Sequence, residues 1–344
     1  MNSKIFFNGK QTELSFAKIK EHVDTYGSFS GSIEAGNTMF LFNNVKPAMF
    51  DQLSQVLKEK ITQENVLCAH AELSALVNAT NYKNHHAHSE PIANQKTVLY
   101  ETVDVIRYMM ATLNTWGISS QEFEKAFEKK DIYLNKHYEL QQKKWEGQPV
   151  AIIDIDDVLA NFREGFSDWL HKKFGVRADV DSKEYYFITA LSKINLNSEH
   201  VFKMFLDDEG FAKLTVDTDN LELLWQLKHQ GYWIHLLTAR PEEELQCLYD
   251  TYFWINQQNI PCDAISFSPE KFRWCAKSKY YDEGAIKFAI DDAPKHAEDY
   301  AKHGIKCFVP KKSYNDHLDN PNIFHFDNYH DVINKLMMQG LLEG

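Results

Sequence analysis

The stretch Val150–Phe162, VAIIDIDDVLANF, decides the fold of this chain. A run of aliphatic residues is followed at once by three acidic residues, Asp154, Asp156 and Asp157. The aliphatic run predicts a buried strand, and the aspartates fall at its carboxyl end. In open α/β sheets ligands and catalytic groups lie beyond the carboxyl ends of the strands. The crowded like charges therefore predict a functional site at this strand end.

The pattern around this stretch predicts two domains. From about Thr12 to His137, apolar residues recur at three- and four-residue spacing, which predicts helices. After the polar run Glu139–Pro149, short apolar segments alternate with helical patterns, which predicts a parallel sheet covered on both faces. The predicted strands begin at Val150, Tyr232, Ala264, Lys287 and Lys306. We predict an all-α domain at 1–147 and an α/β domain at 148–344.

Composition limits the classes of function. A length of 344 residues favours two domains, and a net charge of -12 argues against general nucleic-acid binding, which needs clustered Lys and Arg. The five cysteines are scattered and form no CxxC pair, which is typical of reduced thiols in a cytoplasmic protein. No segment has the pattern of a signal peptide or the length of a membrane span. We expect a cytoplasmic protein that does not bind membranes.

Two further predicted strands deliver polar groups to the same edge of the sheet. Thr238 follows IHLL, and the pair Asp291 and Asp292 follows KFAI. Crowded carboxylates repel one another unless a cation joins them, and oxygen ligands without Cys or His suit Mg²⁺. Beside such an ion, Asp154 would act as a nucleophile on phosphorus and Asp156 would give a proton to the leaving oxygen.

Four segments, DIDDVLANF, LLTAR, SPEKF and FAIDDAP, resemble in order and spacing the motifs of the haloacid dehalogenase superfamily of phosphohydrolases. The resemblance covers about 149–312 and implies a Rossmann-like parallel sheet. It matches Asp154 to the phosphoryl-accepting aspartate and Asp156 to the general acid and base. It matches Thr238 to the hydroxyl that binds the phosphoryl group, and Asp291, with Asp292 beside it, to a Mg²⁺ ligand.

The same resemblance implies further roles in this site. Asp154, the backbone carbonyl of Asp156 and Asp291 would hold the metal ion. Lys271, three residues past the strand AISFS, is the favoured charge-balancing lysine, and Lys277 is the second candidate. Asp157 stands where the family commonly has glycine, and the sequence gives it no role.

The interval between the first two motifs predicts a helical cap at about 161–214, because its length exceeds that of one crossover helix. Within it, DVLANF resembles the 5'(3')-deoxyribonucleotidases, in which aromatic residues of the cap stack on the base. The resemblance matches Phe162 to a base-contacting position, and Tyr186, Phe187 and Phe211 are looser matches. The alternative is that these aromatic residues form a small helical core.

The helical half contains a second set of carboxylates. Glu101 and Asp104 lie three residues apart on one predicted helix, and Glu72 lies on the preceding one. Carboxylates on facing helices can hold Mg²⁺ against a triphosphate. The pattern resembles the all-α nucleotide pyrophosphohydrolases of dimeric dUTPase and MazG type over about 66–138, with Ala75 in place of the fourth carboxylate. Stretches 81–83 and 134–136 loosely match substrate-contacting segments of that family.

These patterns together predict Mg²⁺-dependent hydrolysis of (deoxy)nucleoside monophosphates through an aspartyl-phosphate, coupled to an N-terminal nucleoside triphosphate pyrophosphohydrolase. The expected partner is a small nucleotide, and the helical domain is the expected route to a homo-oligomer. Two alternatives stay open. In the first, the phosphatase acts on nucleic-acid ends or on another phosphometabolite. In the second, the helical half is a non-catalytic binding or dimerisation module, and its carboxylates lie on a solvated helix face.

Overall fold

The computed structural model describes residues 4–7, 10–13, 53–80, 95–277 and 280–343. The chain divides into two compact units, Met1–Glu128 and Lys129–Gly344. Across the described residues, every helix is too short or too polar to cross a lipid bilayer.

The N-terminal unit contains a hairpin and helices. Strands β1 (Lys4–Phe7) and β2 (Lys10–Glu13) pair antiparallel, with Phe7 opposite Lys10. The hairpin differs from the helix predicted from Thr12, although the intervening dipeptide Asn8-Gly9 is a strong hairpin signal. Helices α1 (Gln55–Asn78) and α2 (Gln95–Trp116) pack together, and the Trp116 indole N–H donates to the Thr62 hydroxyl.

Helix α3 (Ser120–Gln142) crosses the division between the two units. From Lys129 onward it belongs to the C-terminal unit, where the Lys129 ammonium lies 2.6 Å from the Asp250 carboxylate. Further along, the Tyr133 ring packs edge-on against Tyr252 at 4.9 Å, and Leu140 is buried in the core. From Lys129 onward α3 therefore packs with the C-terminal unit. The domain boundary at 147/148 stays a prediction.

A six-stranded parallel sheet organises the C-terminal unit, in the order β5-β4-β3-β6-β7-β8. The strands are β3 (Val150–Ile153), β4 (Trp233–Thr238), β5 (Ala264–Phe267), β6 (Ile286–Ile290), β7 (Lys306–Pro310) and β8 (Ile323–Phe326). Five of these strands were predicted, and β8 was not. The strand order reverses at β3, so its carboxyl end lies at the switch point where such sheets bind ligands.

Helices cover the sheet and form the cap. They are α4 (Phe162–Phe174), α5 (Ile188–Leu191), α6 (Ser198–Asp207), α7 (Thr218–His229), α8 (Leu245–Gln257), α9 (Lys271–Lys277), α10 (Pro294–Lys302) and α11 (Tyr329–Met338). Separate apolar clusters lie on the two faces of the sheet. The two chain segments that connect the cap pair with each other, since the Asn161 N–H donates to the Thr215 carbonyl at 3.0 Å. The predicted fold class, an α/β parallel sheet with a helical cap, preceded by helices, is confirmed.

Candidate active site

A single buried lysine lies between two of the predicted site aspartates. Asp154 directly follows β3, and its Oδ2 lies 2.7 Å from the Lys271 ammonium. The same ammonium lies 2.7 Å from Oδ2 of Asp291, which directly follows β6. The Lys271 side chain is 1% exposed, whereas Lys277, at the other end of α9, is exposed. The structure thus brings Lys271, and not the second candidate, to the carboxylates.

Burial sets the protonation properties of this group. Burial raises the pKa of Asp154 to about 6, although the Lys271 ammonium opposes that rise. Burial alone would lower the pKa of Lys271, but the Asp154 and Asp291 carboxylates outweigh it and raise that pKa. The lysine is therefore a permanent cation, suited to neutralise charge on Asp154 and on a phosphoryl group.

Asp156 is paired with an arginine that the sequence analysis did not assign. Arg240, in the loop after β4, donates from Nε to Oδ2 of Asp156 at 2.9 Å and from Nη2 to Oδ1 at 2.7 Å. Its Nη1 donates to the Thr251 hydroxyl at 3.1 Å. The arginine belongs to the LLTAR segment, so its position at a strand end was the available signal. Its partner, Asp156, lies 84 residues earlier in the chain, and the sequence alone did not indicate this contact.

Asp157 has a structural role that explains its place in the opening stretch. Its backbone φ is 54°, in the left-handed region where glycine is most at ease. Its Oδ1 accepts the backbone N–H of Arg163, in the first turn of α4, at 2.8 Å. A side-chain oxygen that satisfies a free N–H at a helix start stabilises the helix. Asp157 therefore fixes the start of the first cap helix.

Thr238 and Asp292 complete the polar edge. Thr238 is the last residue of β4, and its buried hydroxyl accepts the backbone N–H of Arg240 at 3.2 Å. Asp292 is buried beside Asp291, and its Oδ2 accepts the Tyr314 hydroxyl at 2.7 Å. Burial raises the pKa of Asp292 well above its usual range. The three strand ends therefore meet, as the sequence predicted.

The donor set fits a magnesium ion. Asp154, Asp291 and Asp292 each offer a carboxylate oxygen, and these oxygens lie within 4.8 Å of one another. An all-oxygen cluster is what Mg²⁺ prefers. The four carboxylates Asp154, Asp156, Asp291 and Asp292 face only two cations at contact distance within the described part of the chain, Lys271 and Arg240. With all four ionised, the surplus of two negative charges equals the charge of one divalent cation.

An aromatic cavity opens beside Asp156. It has a volume of about 730 Å³, and all four predicted base-contacting residues, Phe162, Tyr186, Phe187 and Phe211, line it. The Phe162 ring also stacks on Phe211, with ring centroids 5.8 Å apart. Phe187 and Phe211 are buried, and Tyr186 is mostly exposed. Phe162, Phe187 and Phe211 therefore belong to the core of the cap and also line the cavity.

Arg163 was not identified from the sequence, yet it shapes this cavity. Its guanidinium is buried and donates to three backbone carbonyls of one cap loop, those of Val180, Glu184 and Tyr185. Its central carbon lies 4.1 Å from the centroid of the Phe187 ring. A single side chain therefore anchors the loop that carries the aromatic lining.

The N-terminal unit brings its three predicted carboxylates together. Glu72 on α1 and Glu101 and Asp104 on α2 each offer an oxygen within 4.8 Å of the others, and all three are half-buried. The stretch 81–83 lies outside the described residues, and 134–136 lies in the part of α3 that belongs to the C-terminal unit. The cluster remains a candidate metal site.

Comparisons with known proteins concern about half of the chain. No protein-family model matches it. A curated protein of Bacillus cereus, described as "Putative nucleotidase", is 25% identical over 194 residues, which are 54% of this chain and 98% of that protein.

Solved structures give more distant likenesses. CbbY from Rhodobacter sphaeroides in complex with phosphate is 15% identical over 54% of this chain and 96% of its own, with a TM-score of 0.38. The L-2-haloacid dehalogenase from Xanthobacter autotrophicus is 10% identical over 56% of this chain and 98% of its own, with a TM-score of 0.40.

Proposed function

We propose that the C-terminal unit is a Mg²⁺-dependent phosphatase of nucleoside monophosphates that works through an aspartyl-phosphate on Asp154. The observation that carries this proposal is the buried contact between Asp154 and Lys271 at the switch point of the sheet, next to an aromatic cavity. Asp154, Asp291 and Asp292 would hold the ion, which when bound offsets negative charge on the carboxylates and the phosphoryl oxygens.

The residues supply a two-step reaction. In the first step an Asp154 oxygen attacks phosphorus, the bond from phosphorus to the leaving oxygen breaks, and Asp156 gives that oxygen a proton. Lys271 balances charge at Asp154, and the Thr238 hydroxyl binds the phosphoryl group. In the second step water attacks phosphorus, Asp156 takes its proton, and Asp154 is released with inorganic phosphate. Asp156 thus serves as acid and then as base.

The cavity favours an aromatic leaving group. A volume of about 730 Å³ lies within the usual range for small-molecule pockets, about 300–1,000 Å³. Ring faces such as those of Phe162 and Phe211 stack well on a nucleobase. The name of the Bacillus cereus relative points in the same direction.

Phosphate release with Mg²⁺ across a substrate panel tests the proposal. The panel contains ribo- and deoxyribonucleoside monophosphates, sugar phosphates, 5'-phosphorylated oligonucleotides and p-nitrophenyl phosphate. We expect nucleoside monophosphates to give the highest kcat/KM and D154N to abolish turnover without unfolding the protein. Cleavage of p-nitrophenyl phosphate without cleavage of any nucleoside monophosphate would refute the nucleotide assignment, and an active D154N would refute the nucleophile. Preference for oligonucleotide ends would favour the first alternative.

For the N-terminal unit we propose that Glu72, Glu101 and Asp104 hold Mg²⁺ for cleavage of nucleoside triphosphates to monophosphates. The convergence of these three carboxylates supports it. The chain would then convert a triphosphate to pyrophosphate and a monophosphate, and the monophosphate to a nucleoside and phosphate. We expect E101A to stop pyrophosphate release but not phosphate release from added monophosphate. Absence of pyrophosphate release from the wild type would favour a binding or dimerisation module.

A further inference from the structure

We propose that Arg240 is a positioning residue that holds the Asp156 side chain in the orientation needed to hydrolyse the aspartyl-phosphate. This inference rests on the proposed function and adds to it a residue for the second chemical step. It starts from the paired contact of the guanidinium with both Asp156 oxygens, at 2.9 and 2.7 Å. Such a bidentate contact fixes both the position and the rotation of a carboxylate, whereas a single contact with a lysine ammonium leaves the rotation free.

The arginine itself is held in place. Its side chain is 1% exposed, its Nη1 donates to the Thr251 hydroxyl, and its guanidinium lies 4.1 Å from the centroid of the Phe211 ring. A planar cation on an aromatic ring, with all three of its nitrogens engaged, has one orientation available. Arg240 is therefore a rigid support, and the orientation of Asp156 follows from it.

Stability alone does not account for this pair. The Asp156 side chain is 25% exposed and lines the aromatic cavity, whereas its arginine partner is almost completely buried. Burying a guanidinium is costly, and well-packed apolar residues often stabilise such a position as well or better. The cost is explained if the carboxylate must point into the cavity in one geometry.

The contact between Arg240 and Asp156 bears directly on the second step of the reaction, hydrolysis of the aspartyl-phosphate. The contact with the guanidinium fixes the direction in which the Asp156 oxygens point, and one of these oxygens takes a proton from water in the second step. In the second step the water oxygen bonds to phosphorus, the bond from phosphorus to Asp154 breaks, and the water proton moves to Asp156. Arg240 therefore serves the hydrolysis step directly, and the attack by Asp154 does not require it when the leaving group departs without a proton.

p-Nitrophenyl phosphate separates the two steps. Nitrophenolate leaves without a proton, so formation of the aspartyl-phosphate needs no acid from Asp156. For R240Q we expect kcat to fall about tenfold to a hundredfold, part of the contribution of a well-placed base. We expect kcat/KM to change less than about threefold, because it reports only the steps up to nitrophenolate release. Stopped-flow measurement should show a nitrophenolate burst that approaches one equivalent of enzyme and exceeds that of the wild type.

Matched variants make the result specific. R240K keeps a positive charge but not the bidentate contact, and we expect an intermediate kcat. R177Q changes an exposed arginine that pairs with Asp168 on the cap, and we expect wild-type kinetics. If Arg240 acts through Asp156, the double variant D156N/R240Q should hydrolyse the substrate no more slowly than D156N alone.

Several outcomes would overturn the inference. An unchanged kcat in R240Q, an equal loss of kcat and kcat/KM without a burst, or additive losses in the double variant would each show that Arg240 does not act through Asp156. If R240Q fails to fold, R240K and the double variant decide the matter, and an R240K with wild-type kcat and burst would refute the inference. Lack of hydrolysis by the wild type would instead refute the proposed function.

Discussion

Substitutions at Asp157 should separate its two structural roles. The residue has a left-handed backbone, with φ of 54°, and its side chain accepts the Arg163 N–H at the start of α4. Glycine removes the cost of the backbone and also the side-chain contact. Alanine removes the side-chain contact but retains the free-energy cost of the left-handed backbone. Asparagine retains the contact and adopts the left-handed backbone readily.

The magnitudes follow from these two terms. Loss of a side-chain contact at a helix start costs about 1 kcal/mol, and a left-handed conformation costs a non-glycine residue about 1–2 kcal/mol. We expect D157A to lower the free energy of unfolding by about 1–2 kcal/mol. D157G should lie within about 1 kcal/mol of the wild type, because the two terms oppose each other. D157N should equal or exceed the wild type, because it buries no charge.

Calorimetry and urea unfolding of the full chain would measure this order. In a domain of 150–250 residues, 1 kcal/mol corresponds to about 2–4 °C in Tm. A D157G variant as unstable as D157A would refute the backbone term, and a D157A variant as stable as the wild type would refute the contact term.

The pH dependence of the free energy of unfolding provides a second test of Asp157. Burial raises the pKa of Asp157 to about 7, against the opposing contact with the Arg163 N–H. The folded state therefore binds this proton more tightly than the unfolded state between about pH 4 and 7. The wild type should lose stability relative to D157N as pH rises through that window. A gap between the two proteins that stays constant with pH would contradict the burial of a titrating carboxyl.

Three further predictions concern other side chains. K271A should lower kcat at least about a hundredfold and lower Tm, because it leaves two buried carboxylates unpaired. K277A should leave kcat unchanged and should change the free energy of unfolding by no more than about 0.5 kcal/mol. Burial lowers the pKa of His235 to about 3, so its proton is bound mainly by the unfolded chain below pH 6.5, and stability should fall as pH falls from 6.5 towards 3. Urea unfolding should show that slope, up to about 1.4 kcal/mol per pH unit, flattened in H235Q. F162A should lower kcat/KM for nucleoside monophosphates by about two- to tenfold more than for ribose 5-phosphate in steady-state assays, since aromatic contacts contribute about 0.5–1.5 kcal/mol.

The sequence located groups whose position follows from a strand end. Asp154, Thr238 and Asp291 could be placed together from the order of strands and polar residues alone, because the carboxyl ends of parallel strands meet at one edge. Lys271 was favoured because its place after a predicted strand matches that of the lysine in the family that the sequence resembles, and the structure gives it a contact with both carboxylates. Their catalytic roles remain predictions.

Other features depend on tertiary contacts that one local pattern cannot express. Arg240 meets a carboxylate 84 residues earlier, and Arg163 binds carbonyls 17 to 22 residues later in an irregular cap loop. Strand β8 (Ile323–Phe326) is short and half-buried over most of its length, so its apolar signal is weak. The positive φ of Asp157 could have been suspected from the family's glycine, but the helix contact that offsets it could not.

Charge pairing at the site makes catalysis and stability hard to separate by single substitutions. Lys271 and Arg240 are both buried, and each is the contact cation of carboxylates that the proposed reaction uses. Removing either cation leaves carboxylates with a desolvation cost and also removes a group from the reaction, so a loss of activity alone would not distinguish the two effects. Comparison of kcat with kcat/KM, and of R240Q with D156N/R240Q, does distinguish them. A folding defect lowers the amount of active enzyme and reduces both constants equally, whereas a misplaced base slows only the step that consumes water.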